Sequence, residues 1–420
     1  MKQTLAMVLA GGRGKRMDIL CQVRPKPALP FAGRFRVIDF SLSNCVYSQI
    51  QNIAILTDYQ RSQMAKYLRS WYLNNPGRNE FHVLEPMAGS YKGTADAVYQ
   101  NLDYLKETDA DEVLILAGDH VYKMDYRQML AFHEQVKADV TVGVIPVPIE
   151  EAHRFGIVTV NPGGRVVNFV EKPKYPQSNL VSMGIYVFNK RVMCERLTED
   201  AVRADSPHDF GYAILPGMVQ RDRVFAYKFN DYWRDIGTAA AYYEANMEIM
   251  SQRARFSLDG SWPILTGGNR PKQPEELEIG NVVNSIISPD CIVRGRVENS
   301  ILSHGVCIDG EAVVRNSVLM SNVSVGYHSV VDQCILDEQV NVGKFCYIGF
   351  GSSLLSTDWD TTILGKGVVV PAYTAIGHRC KVLPHIGSDD FTTSVVPSGS
   401  VVPRRPKFRN ASVLESIGGI

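Results

Sequence analysis

The 420-residue sequence predicts an α/β domain with a mostly parallel, doubly wound sheet, followed by a left-handed parallel β-helix. Two observations carry this prediction. Short apolar runs alternate with longer helical patterns up to about residue 250, which is typical of a parallel sheet covered by helices. Beyond a stretch rich in proline and glycine, apolar residues recur at every sixth position, which is typical of a β-helix.

The strands predicted in the first half are short apolar runs bounded by polar residues or glycine. They are Leu5–Leu9, Ile53–Thr57, Val113–Ala117, Val140–Ile145, Val166–Val170, Ile185–Phe188 and Val224–Phe229. Helical patterns are expected around residues 39–48, 61–72, 94–106, 126–137, 210–219 and 238–253. Because doubly wound sheets bind ligands at the carboxyl ends of their strands, we expect a site where the first and third of these strands end.

The second half changes pattern, and this change predicts the domain boundaries. We expect the α/β domain over residues 1–255, a linker over 256–280, the β-helix over 281–405 and a tail over 406–420. The six-residue series contains Val306, Ala312, Val318, Ser324, Val330, Leu336, Val342 and Ile348, and after an interruption over 349–360 it contains Leu364, Val370, Ile376 and Val382. An ordinary β-meander is the alternative, but its turns would not recur so regularly. The tail is either a short packed helix or disordered.

Composition and charge argue against several classes of protein. The formal net charge is zero and no block of like charge occurs, so we expect no nucleic-acid partner. No stretch approaches the ~20 apolar residues of a membrane span, and the first apolar run is too short for a signal peptide. The eight cysteines include no Cys-x-x-Cys pair, so we expect reduced cysteines in a cytoplasmic protein, without a zinc site.

The stretch LAGGRGKRM, residues 9–17, combines three glycines with three basic residues directly after the first strand. It is not a phosphate loop, which would need glycine at Leu9 and serine or threonine at Arg16, and the dinucleotide fingerprint fails at Met17. Glycines let backbone N–H groups approach phosphate oxygens, and basic side chains neutralise them. The stretch therefore predicts an anion-binding loop. The alternative is a strand-ending glycine turn with solvated basic residues.

Further motifs follow in order along the chain and make the sequence similar to a known family. They are Arg24-Pro-Lys26-Pro, FRVIDFSLSN (35–44), GTADAV (93–98), ILAGDHVYKMDY (115–126), FVEKP (169–173), SMGIYVF (182–188), HDFG (208–211) and YWRDIGT (232–238). Together with the glycine loop, they resemble the signature of the sugar-nucleotide pyrophosphorylases, and within that family the bacterial ADP-glucose pyrophosphorylases. The resemblance covers essentially the whole first half, and the hexapeptide period of the second half agrees with it.

The resemblance implies a Rossmann-like nucleotidyltransferase domain that joins ATP and glucose 1-phosphate to give ADP-glucose and diphosphate, for glycogen or another α-glucan. It also implies Mg²⁺ as the cofactor and a cytoplasmic homotetramer. Arg16, Lys26 and Asp119 are implied as catalytic residues, and Asp119 with Asp235 as metal ligands. The implied nucleotide-binding residues are Leu9, Ala10, Gly11, Gly12, Arg13, Gly14, Tyr91, Gly93, Thr94 and Gly118. The implied residues for glucose 1-phosphate are Glu171, Lys172, Ser182, Gly184, Tyr186 and Asp209.

Each of the main site residues also has a purely structural alternative. Asp119 and Asp235 could cap the helices that follow them. Glu171 and Lys172 could be an ion pair in a surface turn, and the hydroxyls of Ser182 and Tyr186 could form core hydrogen bonds. Histidine residues 120, 133, 208, 328 and 378 show no ligand spacing; we expect His120 to support Asp119 and the others to lie in the core or on the surface.

Two stretches depart from the family pattern and leave rival functions open. Thr57-Asp58-Tyr59 stands where the family has threonine, glutamine and an aromatic residue, and Leu84-Glu85-Pro86-Met87, followed by a shortened loop with Ser90, stands where the family contacts adenine. The first rival is the same chemistry with a uridine, deoxythymidine or guanosine nucleotide. The second is a catalytically weak regulatory subunit, against which the retained basic and acidic residues argue. The third is a bifunctional enzyme whose β-helix is an acyltransferase that uses His328 or His378, which no further feature supports.

Overall fold

The computed structural model describes residues 3–77, 79–87, 89–250, 258, 260, 262–268, 279–351 and 360–405. These residues form two compact units. One lies within Met1–Gln273 and Ile286–Pro289, and the other lies within Pro274–Ser285 and Asp290–Ile420. The predicted tail and most of the predicted interruption over 349–360 lie outside the described residues.

The first unit is an α/β fold. Its strands are β1 (Thr4–Leu9), β2 (Pro30–Phe31), β3 (Phe35–Arg36), β4 (Asn52–Leu56), β5 (Glu80–Leu84), β6 (Glu112–Ala117), β7 (His120–Tyr122), β8 (Val140–Pro146), β9 (Gly156–Val160), β10 (Val166–Glu171), β11 (Leu180–Asn189), β12 (Val224–Lys228) and β13 (Trp233–Asp235). Its α-helices are α1 (Ile38–Tyr47), α2 (Arg61–Asn74), α3 (Thr94–Tyr99), α4 (Leu102–Glu107), α5 (Tyr126–Gln135), α6 (Ile149–Ala152), α7 (Lys190–Ala201), α8 (Leu215–Val219) and α9 (Ala239–Met250). A π-helical turn, Phe210–Ile214, precedes α8, and 3₁₀ turns cover Lys15–Cys21 and Lys26–Ala28.

The main sheet has the strand order β10-β9-β11-β6-β1-β4-β5, and β8 pairs with both β11 and β12. The four strands β6, β1, β4 and β5 are parallel, whereas β11 runs antiparallel to β6 and β8. The sheet is therefore mixed, with a parallel half that carries the glycine loop. In that half Leu9 pairs with both Leu56 and Ala117, so the loops that follow β1, β4 and β6 lie side by side.

Alternating residues of β1 reach two separate apolar cores, because successive side chains of a strand point to opposite faces. Leu5 and Met7 lie in the core beneath α3, α4, α7 and α8. Ala6 and Val8 lie in the core beneath α1, α2 and α5. Helices therefore cover both faces of the sheet, as the alternation of strands and helices predicts.

All seven predicted strands of the first half occur, and each predicted helical region contains helix. The pattern missed the strands β2, β3, β5, β7, β9 and β13 and the helices α6 and α7. Three of the five residues of β5 are exposed, so it shows no apolar run. The sequence of α7, KRVMCERLTEDA, is mostly polar and buries only four residues. Residues 262–268, within the predicted linker, pack on α1 and α2: Ser70 Oγ donates to the carbonyl of Gly267 at 2.7 Å, and Leu265 N donates to Ser43 Oγ at 2.9 Å.

From Ile279 onward, the described residues form a left-handed parallel β-helix. Its strands, each of two to seven residues, are β14 (Ile279–Val283), β15 (Ile286–Ile287), β16 (Ile292–Glu298), β17 (Ile301–Leu302), β18 (Cys307–Ile308), β19 (Val313–Arg315), β20 (Val318–Leu319), β21 (Ser324–Val325), β22 (Val330–Asp332), β23 (Cys334–Leu336), β24 (Asn341–Val342), β25 (Tyr347–Phe350), β26 (Thr362–Leu364), β27 (Val369–Val370), β28 (Ala375–Gly377), β29 (Lys381–Val382), β30 (Val395–Val396) and β31 (Val401–Val402). A 3₁₀ turn covers Ser388–Asp390.

The coils of the β-helix take 17 residues where the chain is regular, rather than three hexapeptides. Ile308 pairs with Val325, Val325 pairs with Val342, and hydrogen bonds between neighbouring coils span 17 residues. One corner of each coil is shorter by a residue and contains Asn316 or Gln333 with a positive φ of 50° or 52°. The six-residue series therefore drifts: its members Ser324 and Val330 are half-buried, while the neighbouring Val325 and Val331 point inward.

None of the eight cysteines forms a disulfide bond, and six of them are buried. Among the described residues, no helix is both long enough and apolar enough to cross a membrane.

Candidate active site

Two adjacent cavities open at the carboxyl ends of β1, β4 and β6. The first cavity has a volume of about 260 Å³ and the second of about 650 Å³. The two cavities share five lining residues: Leu9, Thr94, Ala117, Asp119 and Asp209. A molecule in either cavity would therefore contact the same short wall, which is the arrangement that a reaction between two substrates needs.

The glycine loop lines the second cavity. Eight of the ten residues expected to bind the nucleotide lie there: Leu9, Gly11, Gly12, Arg13, Gly14, Tyr91, Gly93 and Thr94. The other two, Ala10 and Gly118, do not line it. Ala10 N donates to the carbonyl of Leu56 at 2.9 Å and Gly118 N donates to that of Leu9 at 3.1 Å, so both residues join strand ends behind the cavity wall.

The three loop glycines have different surroundings. Gly14 has a φ of 62°, which favours glycine, and a Cβ there would lie 2.9 Å from Cys21 Sγ. A Cβ on Gly11 would lie 2.9 Å from the Cβ of Asp58. A Cβ on Gly12 would meet no atom within 4 Å. Packing within the chain therefore does not require glycine at position 12, and the missing side chain leaves the exposed backbone open to a ligand.

Two carboxylates converge on one ammonium group in the wall of the first cavity. Lys26 Nζ donates to Asp119 Oδ2 at 2.8 Å and to Asp235 Oδ1 at 3.2 Å. Burial alone would raise the pKa of Asp119, but the ammonium of Lys26 outweighs it and lowers that pKa to about 2. The pKa of Asp235 is lowered for the same reason, and the pKa of Lys26 is raised despite its burial. Both carboxylates are therefore ionised at neutral pH.

His120 completes this charged cluster. Its Nε2 lies 3.6 Å from carboxylate oxygens of both Asp119 and Asp235, and its ring packs edge-on against Trp233 at 5.1 Å. Its Nδ1 is buried and has no hydrogen-bond partner among the described residues. His120 thus lies against both carboxylates, and its supporting role for Asp119 stays a prediction.

The capping alternatives for the two aspartates are wrong. Asp125, not Asp119, caps α5, because its side chain accepts from Arg127 N. Near α9, the side chain of Thr238 accepts from Ala241 N at 3.1 Å, whereas Asp235 lies in β13 and faces Lys26. Neither carboxylate is therefore used to end a helix.

The same two carboxylates fit a divalent cation. Both already lie within 3.2 Å of one positive charge, and carboxylate oxygens are the ligands that hard divalent ions prefer. Within the described ranges, no cluster of three or more histidine, cysteine, aspartate or glutamate residues could hold a metal. Asp119 and Asp235 would therefore supply two ligands, and the other positions would belong to water or to substrate oxygens.

The first cavity brings together all six residues expected to bind glucose 1-phosphate: Glu171, Lys172, Ser182, Gly184, Tyr186 and Asp209. Arg16, Lys26, Asp119 and Asp235 line it too. Lys172 Nζ pairs with Glu171 Oε1 at 2.7 Å. The Ser182 hydroxyl lies 3.2 Å from the Tyr186 hydroxyl and accepts from Gly184 N. The first cavity thus offers a cation, carboxylates and hydroxyls in one small space.

Asp209 links the two cavities. Its Oδ2 accepts from Thr94 Oγ1 at 2.8 Å, and its Oδ1 accepts from the backbone of Gly211 and Tyr212, which begins the π-helical turn. Gly93 lies against the same segment, because a Cβ there would be 2.4 Å from the carbonyl oxygen of His208. The motifs GTADAV and HDFG, more than a hundred residues apart in sequence, therefore form one wall.

Sequence reasoning missed several lining residues. In the first cavity these are Arg154, Phe155, Gly156, Phe210, Gly211 and Trp233, and in the second they are Lys15, Leu56, Asp58, Ser90 and Ala97. Some of these residues lie inside the motifs that carry the family resemblance, and those motifs could have revealed them. Arg154 lies in no such motif, and the strand after it, β9, was not predicted. Asp58 lies in the stretch that departs from the family pattern.

The remaining histidines are structural or at the surface, as expected. His133 is buried with its Nδ1 2.8 Å from Thr141 Oγ1, and His208 is buried with its Nδ1 2.9 Å from Asp200 Oδ2. His328 is exposed on the β-helix and stacks on Phe345, and His378 lies 2.9 Å from Ser398 Oγ.

Comparison with known proteins shows the family of the chain. A family model described as nucleotidyl transferase matches residues 5–252, and one described as GlmU-like, C-terminal hexapeptide matches residues 272–370. The chain is 43% identical over 417 residues to a glucose-1-phosphate adenylyltransferase of Pseudothermotoga lettingae, covering 96% of this chain and 99% of the relative. A relative of the same name from Thermotoga maritima is 42% identical, over 96% of this chain and 99% of the relative. Another, from Acetivibrio thermocellus, is 39% identical, over 96% of this chain and 98% of the relative. The chain therefore belongs to the nucleotidyl transferase family and, within it, to the glucose-1-phosphate adenylyltransferases.

Proposed function

We propose that this protein catalyses the reaction of ATP with α-D-glucose 1-phosphate to give ADP-glucose and diphosphate, supplying ADP-glucose for glycogen or another α-glucan. The observation that carries the proposal is the pair of cavities that meet at Asp119. One is bounded by the glycine loop and the other by the six expected sugar-phosphate residues. A nucleotide in the larger cavity and a sugar phosphate in the smaller one would present their phosphates to the same wall.

The reaction is a displacement at phosphorus. A phosphate oxygen of glucose 1-phosphate forms a bond to the α-phosphorus of ATP, and the bond from that phosphorus to the β-bridging oxygen breaks, so diphosphate leaves with the electron pair. No protein group needs to form a covalent bond. Catalysis then depends on holding the two substrates in line and on neutralising the charge that gathers on the leaving group.

Residues of the first cavity would hold the sugar phosphate. The Lys172 ammonium is a compact point charge suited to the phosphate, and Glu171 accepts from sugar hydroxyls. Ser182, Tyr186 and Asp209 bound the space available to the sugar ring. Burial raises the pKa of Tyr186, so its phenol stays protonated and can donate a hydrogen bond.

Residues of the glycine loop would hold the triphosphate. Backbone N–H groups at Gly11, Gly12 and Gly14 approach its oxygens, while Arg13 and the exposed Arg16 add positive charge. Lys26 lines the first cavity and is paired with Asp119, which lines both cavities, and it would stabilise the departing diphosphate.

Nucleotidyltransferases of this type generally use a divalent metal. We propose that the metal is Mg²⁺ and that Asp119 and Asp235 hold it, where it would neutralise phosphate charge. The homotetramer and the cytoplasmic location that the resemblance implies are part of the same proposal. Sedimentation of the full chain tests the tetramer.

The decisive experiment is diphosphate release from glucose 1-phosphate and Mg²⁺ with ATP, GTP, UTP and dTTP offered separately. A preference for ATP supports the proposal, because a site that hydrogen-bonds one base leaves polar groups unpaired against another. A preference for another nucleotide would reassign the product to the corresponding sugar nucleotide. No release with any of the four would favour the regulatory-subunit alternative.

A further inference from the structure

Two loops form the rim of the second cavity on the side away from Lys26. Asp58 follows β4, and its side chain lines the cavity together with Ser90 and Tyr91, which follow β5. β4 and β5 are neighbouring parallel strands, with Leu56 paired to Leu84, so both loops leave the same edge of the sheet. Backbone hydrogen bonds between the strands end near Thr57, and the loops beyond need other contacts to hold their spacing.

Arg61, the first residue of α2, bridges these loops. Its Nε donates to the carbonyl oxygen of Asp58 at 3.0 Å, and one terminal nitrogen donates to the carbonyl oxygen of Gly89 at 2.5 Å. The same nitrogen lies 3.6 Å from Asp58 Oδ1, and the other terminal nitrogen lies 3.8 Å from Glu85 Oε2. One guanidinium group thus contacts Asp58 on the first loop and both Glu85 and Gly89 on the second.

The first loop also supports the glycine loop. Tyr59 N donates to the carbonyl oxygen of Gly11 at 3.3 Å, and the Asp58 side chain packs so closely on Gly11 that no Cβ fits between them. The guanidinium of Arg13 lies over the Tyr59 ring at 5.8 Å. A displacement of Asp58 would therefore disturb the phosphate side of the cavity as well as its rim.

We propose that Arg61 is a positioning residue for the nucleotide: by tying Asp58 to Glu85 and Gly89, it fixes the width of the second cavity and so sets the affinity for ATP and the discrimination between bases. This inference rests on the proposed function. It assigns Arg61 no contact with the substrate, since Arg61 does not line either cavity.

The planar guanidinium fork is what the geometry requires. Arginine presents five N–H donors in fixed directions, whereas the single ammonium of lysine cannot satisfy three separated acceptors at once. The Arg61 side chain is 34% exposed, so its ion pairs alone contribute little to stability. Removing the Arg61 side chain should therefore weaken ligand binding more than it destabilises the fold. Binding needs the two loops held at one fixed distance, so the lost contacts reduce the affinity for the ligand.

The test compares Arg61→Gln and Arg61→Lys with the wild-type full chain, and uses Arg69→Gln as a matched control. Arg69 is exposed on the same helix α2 and lines neither cavity. We measure KM for ATP, KM for glucose 1-phosphate, kcat, the ratio of turnover with ATP to turnover with GTP, and binding of a non-hydrolysable ATP analogue.

Arg61→Gln should raise KM for ATP and weaken analogue binding about tenfold, the loss of about one charge-assisted hydrogen bond, and should lower the ATP-to-GTP ratio. For Arg61→Gln, KM for glucose 1-phosphate and the melting temperature should stay near the wild-type values. Arg61→Lys should not restore the wild-type KM for ATP. Arg69→Gln should match wild type in every measurement. If Arg61→Gln leaves KM for ATP and the base ratio unchanged, or raises both KM values equally, the inference is overturned. A wild-type chain without turnover would instead overturn the proposed function.

Discussion

Asp39 should make the protein less stable as the pH rises from about 4 to 7. It lies in the first turn of α1 with no exposed surface, and its two carboxylate oxygens accept from the Tyr67 hydroxyl at 2.6 and 2.7 Å. Burial raises the pKa of Asp39 to about 7 from an ordinary 3.8, although hydrogen bonds from Tyr67 and Arg36 N oppose the shift. The folded protein therefore retains this proton over a pH range in which the unfolded chain has released it.

The size of the effect follows from linkage. The difference between a pKa of 3.8 in the unfolded chain and about 7 in the folded protein corresponds to about 4 kcal/mol of unfolding free energy, which is lost in full above pH 7. Between pH 5 and pH 8 the loss from Asp39 alone is about 2–3 kcal/mol. The sign follows because the native state binds more protons than the unfolded state, so stability falls as pH rises.

Urea unfolding of the full chain at pH 5, 6, 7 and 8 tests this prediction, with tryptophan fluorescence as a reporter, to which the buried Trp71 of the neighbouring helix α2 contributes. Asp39→Asn keeps the shape of the side chain and removes the titration. Wild type should lose about 2–3 kcal/mol relative to Asp39→Asn between pH 5 and 8. Asp103→Asn, at an 88% exposed side chain, should follow wild type. Parallel pH profiles for wild type and Asp39→Asn would refute the reasoning.

Three further predictions concern the site and the β-helix. Asp119→Asn should reduce turnover about 10²–10³-fold with an unchanged melting curve, because a charge at the reacting phosphates is lost; unchanged diphosphate release would exclude Asp119 from the site. Lys172→Ala should raise KM for glucose 1-phosphate about tenfold or more and leave KM for ATP unchanged, with Lys174→Ala as the control, and equal rises in both constants would contradict its position in the first cavity. Ile348→Ala, at a fully buried position, should cost about 2–4 kcal/mol by urea unfolding, whereas Tyr347→Ala, at the exposed neighbour, should cost clearly less; equal losses would mean that Ile348 does not fill the interior of the β-helix.

Local patterns in the sequence determined much of this protein. Apolar runs and helical periods predicted the strands and helices around the site, because burial of one face imposes a period on the chain. The glycine loop predicted an anion site, since few other residues permit such close backbone approach. The recurrence of apolar residues predicted the β-helix, because each coil must place aliphatic side chains in its interior.

Strand direction and coil length depended on the tertiary structure. A buried strand has the same apolar pattern whichever way it runs, so the antiparallel course of β11 was not predictable from its sequence. The 17-residue coil depends on one shortened corner, which contains Asn316 or Gln333. Because the period of the apolar residues stays close to six, the sequence does not show that the six-residue series drifts away from the inward-pointing positions.

The contacts within the candidate site depended most of all on the tertiary structure. The carboxylates of Asp119 and Asp235 meet at Lys26 although the three residues are far apart in the chain. Arg61 reads in the sequence as an ordinary basic residue at the start of a helix, yet it joins the ends of two parallel strands. Sequence patterns report which residues are buried and which turns are possible. Only the pairing of strands decides which loop ends become neighbours, and those neighbours form the site.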